Sequence, residues 1–307
     1  MFPVFKVNSR TAESLEPLGA KRKFWLADGA QQTLLKLEDR GTGEDWAEKL
    51  ACEFCELLGL PHVHYDLALD VANETPGVVC PSLAVSGWAL GLGNQMLGAL
   101  DPEYPEGNKY KVRAHTPDAV ATVLGLLNPP PAPFSDRLPD EVGTALDVFT
   151  GYVLLDAWIG NQDRHHENWG VLRGSGGFKS AKLHLAPTFD HGASMARQLT
   201  DEERSLRMTT GDQGYGIAAF ARKARSAFYA GPAESKSMTT FAVWEDFSKR
   251  APSAANAWRR RLEAINEQEA REVISAVPPD RMTDLCRTFT LKLLEENRRR
   301  LLEGEQR

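Results

Sequence analysis

Two short runs rich in apolar residues, 23–26 and 33–37, flank the polar, Gly-containing Ala27-Asp28-Gly29-Ala30, which predicts a β-hairpin. The period then lengthens. At about 100° per residue, Trp46, Ala47, Leu50, Ala51, Cys52, Phe54, Cys55, Leu57 and Leu58 fall on one broad arc. The spacing predicts a helix over 44–58, capped by Thr42-Gly43-Glu44-Asp45 and stopped by Gly59. A second hairpin is expected over 65–70 and 77–84, around Ala72-Asn73-Glu74-Thr75-Pro76, completing a small antiparallel sheet. Val85-Ser86-Gly87 reads as the crossing into a second part of the chain, mainly helical from Thr116 onward. Gly91-Leu92-Gly93 lacks both a third Gly and a strand–helix setting, so it is not read as a phosphate loop. The long apolar run 141–159 predicts a helix ending at Gly160, followed by a hairpin of 169–172 with 182–185 around Gly174-Ser175-Gly176-Gly177. Residues 193–216 are polar and turn-rich, a candidate substrate-facing segment, and helical periods return over 217–228, 241–249, 254–265, 267–276 and 283–302. The basic run Arg298-Arg299-Arg300 is explained by solvation and a helix C-terminus.

The polar residues that carry chemistry gather where the apolar helix stops. Asp163 and Asn168 are five residues apart, the spacing of the base and the metal-binding amide in a protein-kinase catalytic loop. Asp190 follows the hairpin, which folds the chain back and brings it toward Asn168. One carboxylate to position a hydroxyl and two oxygen ligands for Mg²⁺ make up the set that phosphoryl transfer needs.

In the first part of the chain, Lys36 lies between apolar neighbours in Thr33-Leu34-Leu35-Lys36-Leu37, where an ammonium needs a carboxylate. Glu48 falls at the flank of the helix's apolar arc, whereas Lys49, Glu53 and Glu56 gather on its polar face. A strand lysine held by a helix glutamate is the arrangement that clamps phosphates. Gly19-Ala20-Lys21-Arg22-Lys23, ahead of the first hairpin, offers backbone N–H groups and positive charge to the same phosphates.

Composition narrows the partners. A chain of 307 residues with 42% hydrophobic and 25% charged content has the mix of a soluble globular protein large enough for two lobes. The net charge of −6 gives no basic face for nucleic acid, so direct nucleic-acid binding is not expected. No run of 18 apolar residues predicts a membrane span, and Met-Phe-Pro-Val-Phe-Lys lacks the form of a signal peptide. A cytoplasmic location is expected, although a non-classical secretion route leaves no mark in a sequence. Four cysteines give no disulfide framework, and the Cys52-Glu53-Phe54-Cys55 pair lies within a helix with no second pair at ligand spacing, so both are read as structural.

Gly160-Asn161-Gln162-Asp163-Arg164-His165-His166-Glu167-Asn168-Trp169-Gly170 resembles the GNxDRHxxN catalytic motif of HipA-like bacterial kinases, and Leu185-Ala186-Pro187-Thr188-Phe189-Asp190 is similar to that family's LxPxxD metal segment. The resemblance implies an α+β, two-lobed protein-kinase-like fold, with a small antiparallel-sheet N-lobe (1–86) and a mainly helical C-lobe (87–307). It implies ATP and Mg²⁺ as cofactors and transfer of the γ-phosphoryl group to a protein Ser or Thr. By the same likeness Asp163, Asn168, Asp190 and Lys36 are catalytic, and Asn168 and Asp190 hold the metal. Gly19, Ala20, Lys21, Lys23, Lys36, Glu48 and His165 hold ATP. The Asp-Arg-His order is also that of the related phosphatidylinositol kinases. Founding members of the family are toxins acting on aminoacyl-tRNA synthetases, and many pair with a helix-turn-helix antitoxin. A protein substrate and an antitoxin or regulatory partner chain are therefore the implied partners.

Two departures qualify the transfer. HipA proper carries a further subdomain ahead of the phosphate loop, whereas only residues 1–15 stand there in this sequence, so that subdomain is expected to be absent or supplied by another chain. Where the family often has an autophosphorylated Ser, this chain has Glu16, with Ser14 two residues earlier. Three rival readings use the same residues: a lipid or small-alcohol kinase, a catalytically silent pseudokinase module, and a metallohydrolase built on Asp163, His165, His166, Asp190 and His191. Retention of Asp163, Asn168 and Asp190 together with Lys36 argues against the silent module. The adjacent pair His165-His166 is poorly placed to share one tetrahedral metal.

Overall fold

A computed structural model describes residues 1–15, 22–28, 31–38, 40–83, 88–174 and 182–304. Its first part runs β1 (Val4–Val7), β2 (Ser14–Leu15), β3 (Lys23–Asp28), β4 (Gln31–Leu37), α1 (Glu44–Leu58), β5 (Asp66–Asp70) and β6 (Thr75–Pro81). These strands form one sheet in the order β1-β5-β6-β4-β3-β2. Both expected hairpins are present, with Lys23 opposite Lys36 in one and Asp70 opposite Thr75 in the other. The sheet is antiparallel at every pairing but one: β1 runs parallel to β5, with Val4 opposite Leu67. Most of β1 is exposed, so no alternation marks it in the sequence, and pairing with a distant strand defines it. Gly77 of β6 faces Leu37, and a Cβ on it would come within 2.3 Å of the Lys36 carbonyl oxygen. Glycine alone lets β6 lie this close to the strand that carries Lys36.

The α1 boundaries fall where the periodicity put them, but its cap differs. Gly43, at φ 78, is the N-cap and has no side chain to offer, and a Cβ there would overlap the Trp46 indole. Glu38 serves instead, accepting from the backbone N–H groups of Arg40, Thr42 and Glu44 at 3.0, 3.3 and 2.6 Å. The apolar arc is broad because two of its flanks are covered. Cys52 packs with Val63, Tyr65, Leu67, Val78 and Cys80 under the sheet, while Trp46, Leu50, Phe54 and Leu58 enter the core of the helical part. The Phe54 and Trp158 rings are 4.9 Å apart.

The expected crossing at 85–87 lies outside the described residues. After it come β7 (Trp88–Leu92), α2 (Gly93–Leu100), α3 (Pro117–Leu124), α4 (Ala145–Ile159), β8 (Gly170–Gly174) and β9 (Leu183–Leu185). β7, β8 and β9 make a second antiparallel sheet. The expectation for Gly91-Leu92-Gly93 is corrected here, because a strand does run into a helix at this point. Gly93 is needed for packing: a Cβ there would sit 2.3 Å from the Trp169 indole. The apolar helix α4 begins at Ala145, later than expected, where Thr144 and Asp147 form a capping box, and all of it but Leu146 and Asp147 is buried.

The segment 193–216 is not the open stretch its polarity suggested. After left-handed Met195 and Ala196, Thr200 and Glu203 cap α5 (Asp201–Thr209). Then follow α6 (Ile217–Arg222), shorter than expected, α7 (Thr240–Arg250), α8 (Pro252–Ala264), α9 (Glu267–Ser275) and α10 (Asp284–Glu303). α7, α8 and α10 pack around α4. Arg300, expected in solvent, is buried with its guanidinium 3.6 Å from the centre of the Phe241 ring, while Arg298 and Arg299 bond to α8 carbonyls and to Glu296 and Glu303.

Candidate active site

The catalytic-loop cluster starts where α4 stops at left-handed Gly160. Asp156, a carboxylate in the last turn of this apolar helix, is met by the fully buried Arg164 through Nε to Oδ2 and Nη2 to Oδ1, both at 2.8 Å. Asn161 Nδ2 donates to the same Oδ1 at 2.8 Å, and Arg164 Nη1 donates to the Asn168 carbonyl at 2.6 Å. Residues 161–168 are thereby wrapped around one guanidinium. Burial opposes the Arg164 charge, and the Asp156 carboxylate outweighs it, holding the pKa above its usual value.

That wrapping orients the two loop residues of interest. Asn168 Nδ2 donates to the Asp163 carbonyl at 2.6 Å, which leaves Oδ1 as the acceptor end of the amide. The Asp163 side chain is 33% exposed, open enough to meet a substrate group. His165 lies beneath it and is not part of the cleft lining. Its Nδ1 accepts from Glu167 N–H at 3.1 Å, and its Nε2 is 3.8 Å from Asp163 Oδ1. Burial first, then the charge of Lys109, pushes the His165 pKa down to about 3, so the ring is neutral.

The β8–β9 hairpin returns the chain as expected, and Asp190 follows it in a left-handed conformation, φ 60. Lys36 is the meeting point. Its Nζ is 3.3 Å from Glu48 Oε1, 3.3 Å from Asp190 Oδ1 and 3.1 Å from the Tyr65 hydroxyl. Burial alone would lower the Lys36 pKa, but the carboxylates of Asp190 and Glu48 outweigh it and hold it well above the ordinary value. Gly192 allows the approach of Glu48, whose Oε2 would be 3.1 Å from a Cβ at that position.

Lys23, Lys36, Lys109, Asn168 and Asp190 line one cleft of about 770 Å³, counting its mouth. Trp25, Leu34, Leu90 and Phe189 contribute to its apolar lining. Ammonium groups beside oxygen ligands suit a polyanion with a hard cation, and the apolar walls suit a flat ring. Gly19, Ala20 and Lys21, read from the sequence as the phosphate cover, lie outside the described residues, as does Glu16. Ser14 pairs with Trp25 at the sheet edge and is exposed.

No protein-family sequence model matches this chain, and no curated protein sequence does. Solved structures do. The Helicobacter pylori proinflammatory kinase CtkA superposes with a TM-score of 0.71 at 18% identity, over 98% of this chain and 96% of its own. HipA of Shewanella oneidensis MR-1, solved with HipB and its operator DNA, superposes with a TM-score of 0.54 at 11% identity, over 95% of this chain and 68% of its own. The fold is that of the HipA-like kinases.

Within this HipA-like kinase fold, sequence reasoning passed over Tyr65, Lys109 and Asp156. Tyr65 and Lys109 reach the cleft from far along the chain, and no local period announces them. Asp156 did carry a signal, a lone carboxylate in an otherwise apolar helix, which demands a cationic partner.

Proposed function

We propose that this protein is an ATP- and Mg²⁺-dependent kinase that transfers the γ-phosphoryl group to a serine or threonine of another protein. The observation that carries the reading is Lys36, fixed between Glu48 and Asp190 at the wall of a cleft that also presents Asn168. Lys23, Lys36 and Lys109 match the phosphate chain, and the apolar lining takes the base. The Asp190 carboxylate and Asn168 Oδ1 are oxygen donors of the kind Mg²⁺ prefers, so the residues fit the ion the fold implies. Mg²⁺ held there supplies charge neutralisation on the phosphate oxygens.

Asp163 positions the acceptor hydroxyl. As the hydroxyl oxygen bonds to the γ-phosphorus, the bond to the β–γ bridging oxygen breaks, ADP departs and the hydroxyl proton passes to Asp163. Gly19, Ala20 and Lys21 are the proposed cover over the phosphates, and the lobes are proposed to divide near residue 86. By likeness to the HipA–HipB complex, a partner chain is the proposed regulator.

The test is incubation of the purified protein with labelled ATP and a cell lysate, followed by phosphosite mapping. Label on Ser or Thr peptides that disappears with Asp163→Ala supports the proposal. Label recovered only in lipid or small-molecule fractions would move the acceptor class, and equal labelling by Asp163→Ala would remove the assignment of that residue.

A further inference from the structure

One turn beyond Glu48 on α1, Cys52 meets His62 and His64 of the segment that follows the helix, and one ligand atom from each lies within 4.8 Å of the others. His62 and His64 are two residues apart in extended chain, so their rings share a face. Cys52 Sγ is 3.8 Å from His64 Nδ1. His62 Nδ1 is 2.7 Å from the Leu60 carbonyl, which places the proton on Nδ1 and the lone pair on Nε2. That lone pair faces Glu56 Oε1 at 3.3 Å. A proton on Nε2, or a metal ion in its place, satisfies this contact. His64 Nε2 is 3.3 Å from Asp66 Oδ1, which draws the proton to Nε2 and leaves Nδ1, the nitrogen toward Cys52, as a donor of electrons. Each imidazole is thus supported on its far nitrogen by an oxygen, the outer support typical of ligating histidines.

We propose that Cys52 Sγ, His62 Nε2 and His64 Nδ1 bind Zn²⁺, with a water molecule from solvent as fourth ligand. One sulfur and two imidazoles, with water in the fourth position, are a tetrahedral donor set of that ion. Zinc bonds of about 2.0–2.3 Å bring neighbouring ligands to roughly 3.5 Å, so the three side chains close by about an ångström on binding. The site joins α1 to the segment 60–65. That segment is also tied to the chain just before Asp190, since Val63 N–H donates to the Thr188 carbonyl at 3.0 Å and Thr188 N–H to that of Pro61 at 2.9 Å. Bound Zn²⁺ therefore fastens together the pieces that carry Glu48, Tyr65 and Asp190. The proposal stands apart from any phosphoryl transfer.

The test uses the whole chain, stripped with a chelator, dialysed and titrated with Zn²⁺ by calorimetry, with metal counted by mass spectrometry. The expected result is one Zn²⁺ per chain with Kd below about 1 µM, and a rise in Tm of about 5 °C at a hundredfold excess over Kd. Co²⁺ in its place should give a sulfur-to-metal charge-transfer band that Cys52→Ser removes. His64→Ala, at a side chain 53% exposed and so with little bearing on the fold, should weaken binding at least about tenfold. A Kd above about 1 µM in the wild type, or unchanged affinity in His64→Ala, overturns the proposal.

Discussion

Asp190 holds a backbone conformation, φ 60, that alanine adopts poorly and asparagine tolerates. Asp190→Asn therefore isolates the loss of charge. It should lower phosphoryl transfer by about 10²-fold or more with little change in Tm, whereas Asp190→Ala adds roughly 1–2 kcal/mol of backbone cost. Asp163→Ala should lower the rate by about 10²-fold or more while leaving nucleotide binding nearly intact, since its carboxylate is the proposed contact to the acceptor rather than to the nucleotide. Initial rates, nucleotide titration and calorimetry on the three variants separate these effects. A second comparison concerns the α1 carboxylates: Glu48 pairs with Lys36, whereas Glu53 pairs with Lys49. Glu48→Ala should raise KM for ATP several-fold more than Glu53→Ala, and equal effects at unchanged stability would contradict the pairing. These residues were legible because chemistry and spacing coincide: an ammonium among apolar strand residues, and a carboxylate at the edge of an apolar arc. The Tyr65 hydroxyl on Lys36 was not legible, since its role comes from a tertiary contact 29 residues away.

The Asp156–Arg164 pair belongs to the scale of the element, because it joins the last turn of α4 to the loop after it. Asp156→Ala leaves a buried guanidinium unpaired and should lower the unfolding free energy by about 3–5 kcal/mol, measured by denaturant titration. Replacing both partners, Asp156→Leu with Arg164→Met, should recover much of that stability while leaving the loop without its anchor and the activity lost. Elements with one buried stripe, such as α1, were readable to the residue, since periodicity reports burial directly. β1 and β7 were not. The first is mostly exposed, and the second lies in a run of small and apolar residues that fits no single period. α5 was hidden by its polarity, because a helix held by a capping box and three acidic residues in its first turn buries little.

On the scale of the whole molecule, α1 shares its core with α4 and the helices around it, so sheet and helices are packed against one another across the cleft. Four buried histidines sit in or near this junction, at positions 115, 165, 166 and 191, and burial lowers the pKa of each, to about 3 for His115 and His165. Unfolded, they titrate near 6.5, so between these values the unfolded chain binds more protons. Stability is thus fully present above about pH 6.5 and is lost as pH falls toward 3. The Tm at pH 5 should lie below that at pH 7.5, and an equal Tm at the two would mean the rings can charge without unfolding. The close approach of β6 to Lys36 bears on how the chain tolerates random change. Every amino acid other than glycine at position 77 carries a Cβ, which must push against the Lys36 carbonyl and shift the strand that aims the ammonium. A mutational scan of the full chain for folded but inactive proteins should find position 77 as intolerant as position 36, although Gly77 contributes no group to the chemistry.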